Sequence, residues 1–199
     1  MMHLAGIIGL NWQVTQPLFT ILVPLNLLAT TLLLLLFQPV FGTSFYLFCI
    51  ICFVTGYLIE LAGIKTGIIF GYYEYGSTLG WKIAGVPVII GCNWLTLIYC
   101  TGVIANTYLR TTWLRPIFAS LLMVLIDYFI EPVAMYLDFW SWQDNIVPFH
   151  NYLGWFITSF FLQLVFSALV PVRQNSMALP VYLIQFAFFL SCNLLYYFL

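Results

Sequence analysis

Residues 60–75 read Glu-Leu-Ala-Gly-Ile-Lys-Thr-Gly-Ile-Ile-Phe-Gly-Tyr-Tyr-Glu-Tyr, and residues 127–132 read Asp-Tyr-Phe-Ile-Glu-Pro. Each stretch places a carboxylic acid within or at the end of an apolar segment and leads into an aromatic linker. Both linkers then reach a Val-Pro pair, at 86–87 and 147–148, followed by an apolar segment opened by Asn and Trp. Because an ionisable side chain inside an apolar span is costly, we look for function in these two stretches.

The composition predicts an integral membrane protein. The chain has 199 residues, of which 64% are hydrophobic and 6% are charged, whereas a soluble domain carries about 25% charged residues. Apolar runs long enough to cross a hydrocarbon core of about 30 Å recur along the chain. We expect six spans, at about 14–37, 44–62, 87–109, 115–136, 151–170 and 178–198. The predicted fold is an all-α polytopic transmembrane bundle that forms a single domain over residues 1–199. Within it, a short segment at 1–13 precedes the first span.

The two linkers suggest an internal repeat. The linker at 63–86 is too apolar for an exposed loop, so we expect it to be re-entrant or interfacial, with 137–150 as a shorter version. Both acids would lie at the same end of equivalent helices, which predicts a parallel repeat with halves 44–109 and 115–170.

The basic residues set the expected orientation. Three arginines fall on one side of the predicted spans and two lysines on the other, which favours the arginine side as cytoplasmic. We expect the chain to lie in a bacterial cytoplasmic membrane.

Several function classes do not match the sequence. The net charge of −1 argues against a nucleic-acid partner. Two histidines are too few for the His-rich iron site of a membrane desaturase, and no Gly-rich phosphate loop occurs. A single Asp-x-x-x-Glu does not match the paired magnesium motifs of a membrane prenyltransferase. We therefore expect acid–base chemistry with no cofactor and no metal.

Helical spacing groups the acids. Asp127 and Glu131 are four residues apart and share a helix face, and Asp138 would lie near that face if the helix continued. In the second span Glu60 falls on a stripe of small residues, which lets helices approach closely in a bilayer. We expect Glu60, Asp127 and Glu131 to face one interior cavity. The structural alternative is that Glu60 makes only a polar contact between helices.

Polar and aromatic residues beside the acids are the substrate-binding candidates. They are Tyr73, Glu74, Tyr75, Asn93, Asp138, Trp140, Trp142, His150 and Asn151. Tyrosine and tryptophan also form belts at membrane interfaces, so the aromatic residues have a purely structural alternative. For His150, a proton shuttle and an interfacial hydrogen bonder remain equal alternatives.

Several short motifs, in the same order, resemble the membrane carotenoid biosynthesis protein family, which includes bisanhydrobacterioruberin hydratases and carotenoid 1′,2′-hydratases. The similarity covers roughly residues 44–175. It is carried by Glu60, Thr66-Gly67, Phe70-Gly71-x-Tyr73-x-Tyr75, Gly85-Val86-Pro87, Glu131-Pro132, Trp140-Ser-Trp142 and Asn151-x-x-Gly154-Trp155. The chain departs from the family pattern at Glu131, where an Asp is frequent, and at Phe149-His150, where a Gly- and Tyr-rich stretch is common.

The resemblance implies a cofactor-independent hydro-lyase that adds water to the terminal C=C of an acyclic carotenoid end group. Its partners would be a carotenoid or related isoprenoid lipid, membrane lipid and other carotenoid-pathway enzymes. We predict that Asp127 or Glu131 donates the proton and that Glu60 orients the water. The deeper Asp127 is favoured as donor, because desolvation favours a neutral acid. The alternatives are a non-catalytic carotenoid- or lipid-binding protein, and a carotenoid cyclase or isomerase.

Overall fold

The computed structural model describes residues 2–198, which contain seven α-helices. Their bounds are α1 Met2–Asn11, α2 Gln16–Leu36, α3 Thr43–Thr66, α4 Ile89–Tyr108, α5 Leu114–Tyr136, α6 Phe149–Leu169 and α7 Ala178–Phe198. Six of them, α2 to α7, are long and apolar enough to cross a membrane. The predicted all-α polytopic bundle is therefore confirmed, and the chain is an integral membrane protein.

Helix α4 forms the centre of the bundle. It contacts α2, α3, α5, α6 and α7, and 78% of its most apolar window is buried, against 17% to 50% for the other five spans. The outer helices expose large apolar side chains on their other faces, as expected for surfaces that contact lipid.

Polar side chains connect the central helix to its neighbours. The hydroxyl groups of Thr31 and Thr96 lie 2.8 Å apart and join α2 to α4. Gln163 of α6 donates to the Ile98 carbonyl and the Thr101 hydroxyl of α4, both at 2.9 Å. Such bonds between helices stabilise association where no hydrophobic difference drives it.

The small residues of α3 allow the close approach that their spacing predicts. A Cβ atom at Gly56 would lie 2.6 Å from Cγ of Trp94 in α4, and one at Gly63 would lie 2.6 Å from Cδ2 of Phe70. Both contacts are too short for any side chain, so these positions require glycine. Glu60 lies between them and is buried.

The linkers fold into short strands, which the sequence did not predict. Strand β1 (Tyr73–Tyr75) pairs antiparallel with β4 (Trp140–Trp142), so that Tyr73 faces Trp142 and Tyr75 faces Trp140. Strands β2 (Lys82–Ile83) and β3 (Val86–Pro87) form a second pair, and a 3-10 turn covers Gln143–Asn145. In the β1–β4 ribbon, residue alternation directs the four aromatic side chains to one face.

Candidate acid-lined site

Three acids lie inside the bundle with almost no exposed surface. Glu60 of α3 is 5% exposed, and Asp127 and Glu131 of α5 are 0% and 1% exposed. Each approaches the end of the bundle that the β1–β4 ribbon covers, because α3 and α5 both run into the linkers that form it. Buried acids need hydrogen-bond partners, and the ribbon supplies most of them.

Glu60 accepts hydrogen bonds at both oxygens. The hydroxyl groups of Tyr73 and Tyr75 donate to its Oε2 at 2.5 Å and 2.8 Å. The indole N–H of Trp94 in α4 donates to Oε1 at 2.9 Å. Burial, followed by the Glu60 charge, raises the pKa of Tyr73 and of Tyr75. Both phenols therefore keep their protons and act as donors, which matches the acceptor capacity of an ionised carboxyl group.

Glu131 and Asp127 share one amide. The indole N–H groups of Trp140 and Trp142 donate to Glu131 Oε2 at 2.8 Å and 2.6 Å. Asn151 Nδ2 of α6 donates to Glu131 Oε1 at 3.0 Å and to Asp127 Oδ2 at 2.8 Å. Asp127 Oδ1 is buried and has no partner among the described residues. Asp127 thus has one N–H donor and one free oxygen, which fits a protonated acid, whereas Glu131 has three donors.

Two aromatic pairs lie between two hydrogen-bonded clusters, which are Glu60 with its donors (the Glu60 cluster) and Glu131 with Asp127 and their donors (the Glu131 cluster). The rings of Tyr73 and Trp142 lie 4.8 Å apart across the ribbon. The rings of Trp94 and Trp155 stack at 4.5 Å with an interplanar angle of 25°. A cavity of about 20 Å³ adjoins these rings and is lined by Glu60 and Glu131 as well as by Tyr73, Trp142 and Trp155. This is about the space that one water molecule needs.

A much larger apolar cavity adjoins the small one. It has a volume of about 370 Å³ and is lined mainly by apolar side chains of α1, α2 and α7. Ile90, Asn93 and Trp140 line both cavities. A mostly apolar cavity with a few polar groups at one end is typical of a site for an apolar small molecule.

On the other side, the ribbon borders an open depression of about 270 Å³. Tyr72, Glu74, Ser141 and Gln143 line it, together with Tyr73 and Trp142. The last two residues also line the small cavity. The acids are therefore flanked by an apolar cavity on one side and by a more polar, open surface on the other.

The structure brings together nine of the twelve predicted site residues. The small cavity is lined by Glu60, Tyr73, Tyr75, Asn93, Glu131, Trp140, Trp142 and Asn151. Asp127 joins them through its hydrogen bond with Asn151.

Glu74, Asp138 and His150 lie outside this cluster, and all three are exposed. Helix α5 ends at Tyr136, so the helical phase that aligned Asp138 with Asp127 does not continue. Asp138 adopts φ of 55° and accepts hydrogen bonds from the Ser77 backbone N–H and hydroxyl, each at 2.9 Å. These bonds lower the pKa of Asp138, which is bonded to a loop and does not point into the site.

Two tryptophans that the site prediction left out belong to the cluster. Trp94 donates to Glu60, and Trp155 stacks on Trp94 and lines the small cavity. The signal was available, because each tryptophan follows an asparagine near the start of an apolar segment in both similar stretches. Within residues 2–198, no group of three His, Cys, Asp or Glu side chains is arranged to hold a metal ion.

Comparison with known proteins identifies a family and a distant relative. Residues 21–199 match the sequence profile of a family described as carotenoid biosynthesis protein. Over 123 residues the chain is 29% identical to bisanhydrobacterioruberin hydratase from Haloarcula japonica. The match covers 55% of this chain and 40% of that relative, so the chain aligns with less than half of the relative's length. No solved structure matches the chain.

Proposed function

We propose that this chain, which belongs to the carotenoid biosynthesis protein family, is a hydratase that adds water to the terminal C=C of an acyclic carotenoid end group. One observation carries the proposal. Two buried carboxyl groups, Glu60 and Glu131, line a water-sized cavity that shares lining residues with a large apolar one, and the third, Asp127, is bridged to Glu131 by Asn151. The hydratase name of the relative from Haloarcula japonica supports the same reaction class.

The proton comes from the Asp127–Glu131 pair. Two close carboxyl groups favour one neutral and one charged member. We assign the proton at rest to Asp127, because Asp127 has a single N–H donor and one unpartnered oxygen. Glu131 is the member of the pair that lines the cavity. The proton passes from Asp127 to Glu131, and Glu131 transfers it to the less substituted alkene carbon, which leaves a tertiary carbocation at the other carbon.

Glu60 completes the addition. It lines the small cavity together with Glu131, and its carboxyl group is oriented by Tyr73, Tyr75 and Trp94. A water molecule in this cavity forms the new C–O bond with the cation and gives one proton to Glu60, so that a tertiary alcohol results. Glu60 then returns this proton, through water in the cavity, to the Asp127–Glu131 pair, which restores the starting state. General acid and base groups typically contribute about 10²–10⁴-fold each.

The two larger cavities suit the two substrates. The isoprenoid end would enter the apolar cavity and reach the acids past Ile90, Asn93 and Trp140, which line both cavities. Water would come from the open depression, where Tyr73 and Trp142 form the shared wall. The aromatic faces around the small cavity would also stabilise the carbocation.

Product analysis tests the reaction class. Membranes that contain the protein are supplied with an acyclic carotene in water enriched in ¹⁸O, and the recovered carotenoid is analysed by mass spectrometry. A hydratase gives a product heavier by one labelled water. A product of unchanged mass would indicate a cyclase or isomerase, and unchanged substrate that copurifies with the protein would indicate a carotenoid- or lipid-binding protein.

A further inference from the structure

The end of the bundle opposite the acids holds a second polar pocket. It lies where α4 and α6 end and α5 begins, and its volume is about 90 Å³. Its polar lining comes from Asn106, Thr112, Arg115, Gln163, Ser167 and Arg173. We propose that this pocket binds the phosphate group of an anionic membrane lipid through Arg115 and Arg173.

The two arginines are held in place by backbone carbonyl groups. Arg115 Nε donates to the Leu109 carbonyl at 3.0 Å. Arg173 Nε donates to the Val170 carbonyl at 3.0 Å, and its Nη2 donates to the Ser167 carbonyl. A guanidinium group has five N–H donors, and these bonds use only one on Arg115 and two on Arg173. Both side chains are therefore positioned at the pocket with donors to spare.

The positive charge of the pocket has no acidic partner there. None of the lining residues that the structure describes is Asp or Glu. The ends of α4 and α6 contribute only partial negative charges, of about half a unit each. Two full positive charges at one pocket therefore favour an anion. Arg110, the third arginine on this side of the chain, is exposed and is not among the residues that line the pocket.

The shape and position of the pocket favour a lipid phosphate. Arginine matches phosphate oxygens with two parallel N–H bonds, which a lysine cannot do. The pocket lies where membrane-spanning helices end, which is the depth of the lipid headgroups. Its volume of about 90 Å³ suits a phosphate group but not an acyl chain, so the rest of the lipid would remain along the outer helix surfaces.

Native mass spectrometry of the full chain in neutral detergent tests the proposal. Dioctanoyl phosphatidylglycerol is titrated against the wild type, Arg115→Gln, Arg173→Gln and the matched control Arg110→Gln, which removes the same charge outside the pocket. We expect the wild type and Arg110→Gln to bind alike. Each pocket variant should bind at least about tenfold more weakly, because a hydrogen-bonded charge pair is lost.

Three results would overturn the proposal. Equal weakening in Arg110→Gln would mean general attraction to a basic surface. Equal binding in all four proteins would remove the arginines from the site. Full displacement of the lipid by inorganic phosphate at the same concentration would exclude the lipid as the source of the phosphate. If a glutamine variant does not fold, the corresponding lysine variant keeps the charge but loses the paired geometry, and unchanged binding there also contradicts the proposal.

Discussion

The Glu60 cluster and the Glu131 cluster have similar hydrogen-bond donors, but they differ in whether every carboxyl oxygen has a partner. Glu60 accepts from two tyrosines of the linker after its own helix and from a tryptophan of the next helix. Glu131 accepts from two tryptophans of its own linker and from Asn151 of the next helix. The second cluster has an additional acid, Asp127, whose Oδ1 has no partner among the described residues. In the first cluster both oxygens of the carboxyl group accept hydrogen bonds, whereas the second cluster has an unpartnered oxygen that can carry a proton.

One position accounts for this difference. Four residues before Glu131, helix α5 has Asp127, and four residues before Glu60, helix α3 has Gly56. Trp94 packs against Gly56 and from there reaches Glu60. We propose that the halves 44–109 and 115–170 form a parallel repeat in which one half became the proton donor and the other the binder of water. The antiparallel register of the β1–β4 ribbon, in which Tyr73 faces Trp142 and Tyr75 faces Trp140, is what a two-fold axis through its centre would produce.

Asp127→Asn should have the largest effect. The amide keeps the shape of the side chain but has no acidic proton to transfer, so hydration should fall at least about a hundredfold. The measurement is the initial rate of alcohol formation in membranes with matched amounts of protein. If Asp127→Asn stays close to the wild type while Glu131→Gln loses all activity, the proton does not come from Asp127, and Glu131 alone is the donor.

Glu60→Gln should have the next largest effect and a different outcome. The cation still forms, but water is no longer oriented or deprotonated, so alcohol formation should fall by about tenfold or more. We expect isomerised alkene in the recovered carotenoid, because the cation loses a proton instead of gaining water. The readout is the ratio of isomer to alcohol by chromatography. A ratio equal to that of the wild type would contradict the division of roles between the clusters.

Gly56→Ala should weaken the Glu60 cluster through packing. The added methyl group overlaps Trp94, and such overpacking typically costs about 1–3 kcal/mol. The measurement is thermal unfolding in detergent. Gly42→Ala is the control, because a Cβ atom there would have no neighbour within 4 Å. If both variants unfold at the same temperature, the packing of Trp94 against Gly56 does not require glycine at this position.

Tyr73→Phe should have the smallest effect among the site variants. It removes one of three donors to Glu60 and keeps the ring against Trp142, so a severalfold lower turnover is expected from the loss of one hydrogen bond. Glu74→Gln, on the opposite face of the same strand, should stay within about twofold of the wild type. Similar losses in both variants would mean that the two faces of the ribbon do not differ in function.

The sequence predicted the helices well because their signal is simple. Apolar runs near the length of a membrane span gave six spans close to those observed, and α3 ends at Thr66 instead of near 62. The spacing of Asp127 and Glu131 and the small residues around Glu60 also placed the acids inside the bundle. The bilayer constrains these features locally, since every polar backbone group in a span must be bonded within it.

The pairing of the two linkers in the β1–β4 ribbon could not be predicted from the sequence. The pairing of β1 with β4 joins residues nearly 70 positions apart through strands of three residues, and such short segments have no reliable periodicity. The same lack of a signal in the linkers explains why Asp138 and His150 were placed in the site, whereas the structure places them outside the cluster. Their nearness in sequence to the site suggested a role, but a turn after Tyr136 directs Asp138 to Ser77, and His150 is exposed.

The most direct test measures how much deuterium and ¹⁸O from the solvent enters the product when an acid of either cluster is replaced. The wild type, Asp127→Asn and Glu60→Gln are each given an acyclic carotene in D₂O enriched in ¹⁸O, and the recovered carotenoid is analysed for deuterium and ¹⁸O. We predict both labels with the wild type, deuterium without ¹⁸O in the altered alkene from Glu60→Gln, and neither label above background with Asp127→Asn. Incorporation of both labels by Asp127→Asn and by Glu60→Gln at the wild-type rate would contradict the proposal that these acids carry out the hydration.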